Sequence, residues 1–154
     1  MLRGIIGTEA GLNIKFNFMS EFYKQYFCPF NDIYSLIVED DGKVSYAYLL
    51  KERDVISDVW LYNQQKNPNK TDWSNRDDMP FLNPQEYILE DAIMCLPIKE
   101  DSDVDLEWKC NDEAIEVKVY VRKELIAILR PYLFPAFSLL VCKDSPLAKK
   151  WVVS

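Results

Sequence analysis

The chain has 154 residues, 18 basic against 25 acidic side chains, a net charge of −7, no histidine and four glycines. By the usual size prior that length is one domain, able to bury roughly 68–70% of the surface its unfolded chain exposes, so no disulfide or metal staple is required. Without histidine there is no Ser-His-Asp or Cys-His nucleophile and no mixed zinc site, and the scattered glycines exclude a dinucleotide or phosphate-cradling loop.

At the N-terminus Arg3 and the short Ile5-Ile6 pair lack the apolar core of a secretory signal. No apolar run approaches the ~18–20 residues of a membrane span, so a cytoplasmic protein without membrane contact is expected. Leu12, Ile14, Phe16 and Phe18 alternate with polar residues as in a strand, and Ser20-Glu21 reads as the cap of a helix ending before Pro29. Residues 33–39 and 44–51 are rich in β-branched and aromatic side chains, and Asp41-Gly42 between them favours a tight hairpin turn. Residues 55–62 complete an antiparallel meander, expected to be covered on one face and partly open on the other. Within it, alternation sends Val59 and Leu61 to one face and Asp58, Trp60 and Tyr62 to the other.

From Asn63 to Asp78 the residues are nearly all polar, with one proline and the lone Trp73, a composition that runs over the surface. Trp73 and the apolar stretch Met79-Pro80-Phe81-Leu82-Asn83-Pro84 either pin this loop to the body or meet a partner. Trp60, Tyr62, Trp73 and Phe81 suit core packing or interface anchoring, with stacking on a sugar or base as a further use. Asn83-Pro84-Gln85-Glu86 resembles a helix start, continued by Tyr87, Ile88, Asp91, Ala92 and Cys95 up to Pro97.

Val104, Leu106, Trp108 and Cys110 alternate with Asp105, Glu107 and Lys109, and Ile115 to Val121 returns as the second arm of a hairpin. Residues 125–129 and 137–142 read as further strands, and residues 144–150 as a capped C-terminal helix with its lysines at the end that favours cations. The expected fold is a single α+β domain over residues 1–154: a mainly antiparallel sheet of six or seven strands with short flanking helices. Cys28, Cys95, Cys110 and Cys142 are far apart with no Cys-x-x-Cys, the pattern of reduced structural thiols.

Charge is the positive signal. Residues 1–117 hold 11 bases against 23 acids, and the remaining residues 7 against 2. Such a surface repels nucleic acid and attracts a basic protein. The densest acidic stretch runs from Glu100 to Glu116, where Asp105 and Glu107 share an outer strand face that Glu116 can reach. This region is either a solvated hairpin that guards a sheet edge or a docking surface for a cationic partner. The docking reading rests on Asp103, Asp105, Glu107 and Glu113, with Trp60 or Tyr62 as apolar anchor. A calcium loop at Asp101-x-Asp103-x-Asp105 lacks the sixth-position glycine and the twelfth-position glutamate, and the pairs Asp77-Asp78 and Glu90-Asp91 lack convergent partners. No metal, no cofactor and no catalytic residues are therefore expected, with a small carboxylate-dependent enzyme or a non-inhibitory adaptor as the alternative classes.

The order Asp58-Val59-Trp60-Leu61-Tyr62-Asn63, Trp73, Met79-Pro80-Phe81-Leu82-Asn83-Pro84, Leu125-Ile126-Ala127 and Lys143-Asp144-Ser145-Pro146-Leu147-Ala148 resembles a family of small bacterial proteins. Some of these are similar to immunity proteins encoded beside toxins of polymorphic or contact-dependent inhibition systems. The chain departs from the family pattern at Ser145 and at Ala136-Phe137, where glycine and Gly-Trp are common. The resemblance implies a protein that binds and neutralises a cognate toxin and supplies no catalytic residue. A nuclease toxin is the natural partner, because its basic cleft accepts carboxylates in place of phosphates.

Overall fold

The fold is known from a computed structural model that describes residues 22–90 and 98–152. Strands β1 (Phe22–Phe27), β2 (Tyr34–Asp40), β3 (Val44–Lys51) and β4 (Asp54–Asn63) form an antiparallel sheet in that order. Strands β5 (Val104–Cys110), β6 (Ile115–Val121), β7 (Glu124–Leu129), β8 (Phe137–Ser138) and β9 (Lys149–Lys150) form a second sheet, antiparallel except for the β8–β9 pair. The described residues are mainly β, with nine strands in two sheets rather than six or seven in one. Among the described residues there is no α-helix, and 3-10 turns at Arg76–Asp78, Gln85–Tyr87 and Asp101–Asp103 take the place of the flanking helices.

Within the described residues each expected helix gives way to backbone pairing. Phe22–Phe27 lies along β2 from Phe22 opposite Asp40 to Phe27 opposite Ser35, because a ladder of interstrand hydrogen bonds outweighs an ambiguous aromatic period. The strand expected over Leu12 to Phe18 lies outside the described residues. At Gln85–Tyr87 the cap position is Pro84, without a side-chain bond, and an antiparallel bridge between Ile88 and Val141 takes the backbone out of helical geometry. The rest of that segment, 91–97, also falls outside the description. Near the C-terminus Ser145 and Ala148 close a tight turn that returns Lys149–Lys150 to β8.

The hairpins follow their turn residues. Gly42 has φ 87°, and Asp41 Oδ1 accepts the amides of Lys43 and Val44. At the β5–β6 turn Asn111 Oδ1 accepts the amides of Glu113 and Ala114. The β6–β7 connection sets two consecutive non-glycine residues, Arg122 and Lys123, at φ 48° and 71°, the left-handed pair that matches the twist of a two-residue hairpin.

The meander is buried on both faces, contrary to the expected open one: every position from Val44 to Leu50 in β3 and from Ser35 to Asp40 in β2 is buried. The apolar residues there run consecutively, as in Leu36-Ile37-Val38, instead of alternating. In β4 the register passes from Tyr46 opposite Trp60 to Ser45 opposite Tyr62, leaving Leu61 as an extra residue that breaks the alternation. Val59, Trp60, Leu61 and Tyr62 are consequently all buried. One hydrophobic cluster joins these residues to Val117, Val119, Ile126 and Leu129 of the second sheet.

Two seams join the sheets. Along β4 the contacts are backbone hydrogen bonds, from Tyr132 N–H to the Ile56 carbonyl, from Ala136 N–H to Asp58 (2.7 Å) and from Trp60 N–H to Leu147 (3.0 Å). Along β1 they are side chains: Asp101 pairs with Lys24 Nζ at 2.9 Å and accepts the Tyr26 hydroxyl at 2.8 Å.

Inside the first sheet the fully buried Asp40 accepts the Tyr62 hydroxyl and the Gly42 amide, each at 2.8 Å. Tyr62 Oη in turn accepts the Ile98 amide at 2.9 Å. Burial first, and the Asp40 carboxylate second, push the Tyr62 hydroxyl far above the ordinary tyrosine range, so it stays a donor. Tyr62→Phe removes one donor from a buried carboxylate and strands the Ile98 amide, at a cost of about 2–4 kcal/mol. Urea unfolding should show this as a lower midpoint with an unchanged slope; a loss under about 1 kcal/mol would mean the network is not a structural fastening.

Candidate functional site

The β5–β6 hairpin does not present one sign of charge. Asp105 and Glu107 are exposed as expected, but Lys118 lies opposite Glu107, and Lys109 lies opposite Glu116. Glu107 accepts the Tyr120 hydroxyl at 2.9 Å, and Arg130 pairs with Glu116 at 2.8 Å. The expectation followed the acidic stretch only as far as Glu116 and missed the lysine two residues on. Asp103 is a structural cap: its carboxylate accepts the amides of Lys99 and Glu100 at 3.1 and 3.3 Å and lies 4.0 Å from Arg122. Seven-residue strands separate Asp103 from Glu113 by roughly 20 Å, so the four acids named from the sequence do not converge. Trp60 and Tyr62 are each 1% exposed and offer nothing to a partner.

What does converge lies at the hairpin tip. An open groove of about 610 Å³ runs between the turn after β1, with Phe30 and Asn31, and the acidic turn Asp112-Glu113. Tyr34, Cys110 and Ile115 also line it. Phe30 is 70% exposed, Phe27 60% and Ile33 36%, three large apolar side chains at one end of β1 and β2 where water would normally select polar ones. Asp32, Asp112 and Glu113 are exposed as well, and of the three apolar side chains it is Phe30 that lines the groove with Asp112 and Glu113. Arg130, on the far wall, already pairs with Glu116 and stacks with the rings of Phe137 and Trp151 at 5.6 and 5.4 Å. The sequence signal for this site was Phe30 itself, an aromatic residue set between Pro29 and Asn31 in a turn.

The Cys110 thiol has that of Cys28 as its neighbour at this end of the sheets. Burial, and then the neighbouring Cys28, push the Cys110 thiol up, which makes it a poor nucleophile at neutral pH. Among the described residues no group of three or more cysteine, aspartate or glutamate side chains is placed to hold a metal.

The polar loop after β4 is tied down at both ends. Trp73 packs edge-to-face on Phe81 at 5.3 Å, the anchor expected from composition. A stronger fastening was not expected. Asn63 Oδ1 accepts the buried Trp60 indole N–H at 2.8 Å and the Asn83 amide at 3.0 Å, while its Nδ2 donates to Asn67 Oδ1 at 2.7 Å and the Asn83 carbonyl at 2.9 Å.

Comparison with known proteins finds no matching family model, no matching curated protein and no matching solved structure. The resemblance to immunity proteins therefore rests on the motif words alone.

Asn63→Leu deletes all four bonds and leaves a buried indole donor unpaired, an expected loss of about 3 kcal/mol that should exceed the effect of Trp73→Ala. Thermal and urea unfolding of the two variants decide the order, and the reverse ranking would return the main role to the tryptophan.

Acid sensitivity follows from the capped and paired carboxylates. Lys24 and then Tyr26 hold Asp101 below its ordinary value of 3.8, and the Lys99 amide foremost does the same for Asp103. A lowered folded value means that the contribution is complete above the ordinary value and is lost as pH falls through the lowered one. The urea midpoint should thus be level above about pH 5 and decline below about pH 4, and more gently in the double variant Asp101→Asn, Asp103→Asn. An equally steep decline in that variant would show that other carboxylates govern acid unfolding.

Proposed function

We propose that this chain is a non-catalytic inhibitor that binds and neutralises a basic protein domain, a nuclease toxin being the best-fitting class. Its contact surface is the groove between Phe30 and the Asp112-Glu113 turn. The observation that carries this reading is the juxtaposition of the exposed Phe30 side chain with an acidic turn across one open groove. Phe30 supplies the anchor that slows dissociation, and Asp112 and Glu113 steer a cationic partner toward it. This revises the sequence expectation in its anchors, from Trp60 and Tyr62 to Phe30, and of the four acids keeps Glu113.

The test uses the product of the gene immediately upstream. Its expression should arrest growth, and co-expression of this chain should restore it. Phe30→Ala should raise the dissociation rate about tenfold, the 1.4 kcal/mol scale of an interface anchor. The pair Asp112→Lys, Glu113→Lys should slow association at low salt and much less at 0.5 M salt, where the screening length approaches about 4 Å. Failure of the parent chain to restore growth sinks the inhibitor reading; full protection and unchanged kinetics in both variants sink the groove.

A further inference from the structure

The side-chain seam between β1 and the second sheet ends in two thiols. Cys28 N–H donates to the Tyr34 carbonyl at 2.9 Å, which carries the β1–β2 ladder one residue beyond the pairing of Phe27 with Ser35. Alternation therefore sets Cys28 on the same side of β1 as Lys24 and Tyr26, the residues that reach across to Asp101. On the second sheet Cys110 is the last residue of β5 and lies opposite Ile115. Phe30, Asn31 and Tyr34, from the connection between β1 and β2, line one groove with Cys110 and Asn111. The end of β1 and the end of β5 thus come together, and the Cys28 thiol neighbours that of Cys110 across the junction. Both thiols are free.

The two differ in access. Cys28 is 1% exposed, whereas Cys110 is half-buried and borders the open groove, where a dissolved reagent reaches it. That asymmetry suits a two-step exchange, with an accessible thiol to meet the reagent and a sheltered one to resolve the intermediate. We propose that Cys28 and Cys110 form a thiol–disulfide switch that ties β1 to β5, with a small dissolved disulfide such as oxidised glutathione as the oxidant. The Cys110 thiolate attacks one sulfur of the reagent, and the other sulfur leaves as a thiolate that takes up the proton Cys110 released. The Cys28 thiolate then attacks Cys110 Sγ in the mixed disulfide. The bond between the two cysteines forms, and the second reagent thiol departs with the proton from Cys28. The protein loses two hydrogens with their two electrons, and one reagent disulfide becomes two thiols. Because the linked positions are far apart in sequence, the bond removes much freedom from the unfolded chain. It also outweighs the exposed Lys24–Asp101 pair as a tie on this seam. The inference is independent of the inhibitor reading.

The full chain is incubated with glutathione mixtures of rising oxidised fraction, trapped by alkylation and mapped by peptide mass spectrometry. Burial first, and then Cys28, push the Cys110 thiol up, so the exchange is run at about pH 8.5 to supply thiolate. A form about 2 Da lighter, with its peptides linked through Cys28 and Cys110, should accumulate. Its urea midpoint should lie about 1 M above that of the reduced chain. Cys110→Ser should abolish both the bridge and the gain, whereas the double variant Cys95→Ser, Cys142→Ser should keep both. Cys28→Ala should hold glutathione on Cys110 as a lasting mixed disulfide, because no thiol is left to resolve it. Circular dichroism confirms that the reduced variants are folded, and for one that is not, the peptide map of the parent chain decides alone. A mixed disulfide that persists on Cys110 of the parent, a bridge through Cys95 or Cys142 instead, no bridge at any glutathione ratio, or a bridged chain whose urea midpoint does not rise would each overturn the inference.

Discussion

A sheet whose strands are apolar on both sides has to be covered twice, and in this chain that requirement falls on β2, β3 and β4. The second sheet shares their hydrophobic cluster, and Ile88 and Ile98 join it from the connection between the sheets. Cover made of irregular chain carries backbone groups that need partners. The protein meets this need with a few side chains that bond backbone: Tyr62 takes the Ile98 amide, Tyr46 reaches the Phe81 carbonyl, and Asn63 holds both the amide and the carbonyl of Asn83. Each of these residues starts in β3 or β4, so the buried sheet organises the loops that lie over it.

Local chemistry made much of the fold legible. The three hairpin arms at β2–β3, β5–β6 and β6–β7 appear within a residue or so of their sequence boundaries, because turn residues and β-branched runs act over a few positions. Two expected helices failed where local signals were satisfied by non-local partners: an aromatic segment paired with β2, and a Pro-Leu-Ala-Lys run that looked capped was a tight turn onto β9. Capping motifs describe backbone groups that need partners, and a neighbouring strand answers the same need.

The site was less legible, for a different reason. Side-chain alternation assigned Trp60 and Tyr62 to an accessible face, but it cannot say whether a face is covered, and the extra residue Leu61 shifts the alternation inside the very motif on which the assignment relied. Likewise the count of acids from Glu100 to Glu116 was correct as composition and misleading as surface, since Lys118 and Arg130 arrive through pairing. Phe30 and Phe134 drew no attention because a single aromatic in a turn carries no periodicity. Their exposure appears only when the chain is folded, and both border cavities.

The two seams between the sheets are unlike in kind. Along β4 the joint is a spine of main-chain hydrogen bonds reinforced by the Ser57 hydroxyl on the Leu133 carbonyl, whereas along β1 it is a fore-edge closed by Lys24, Tyr26 and Asp101, with the thiols of Cys28 and Cys110 as neighbours. An exposed ion pair contributes at most about 1 kcal/mol and weakens with salt, so the fore-edge is the weaker of the two seams. The Phe30 groove lies on that same edge, at the end where the thiols lie. A molecule seated there grips both covers at once and acts as a clasp, so occupancy would be felt as slower amide exchange in β1 and β5 while the spine stays as it was.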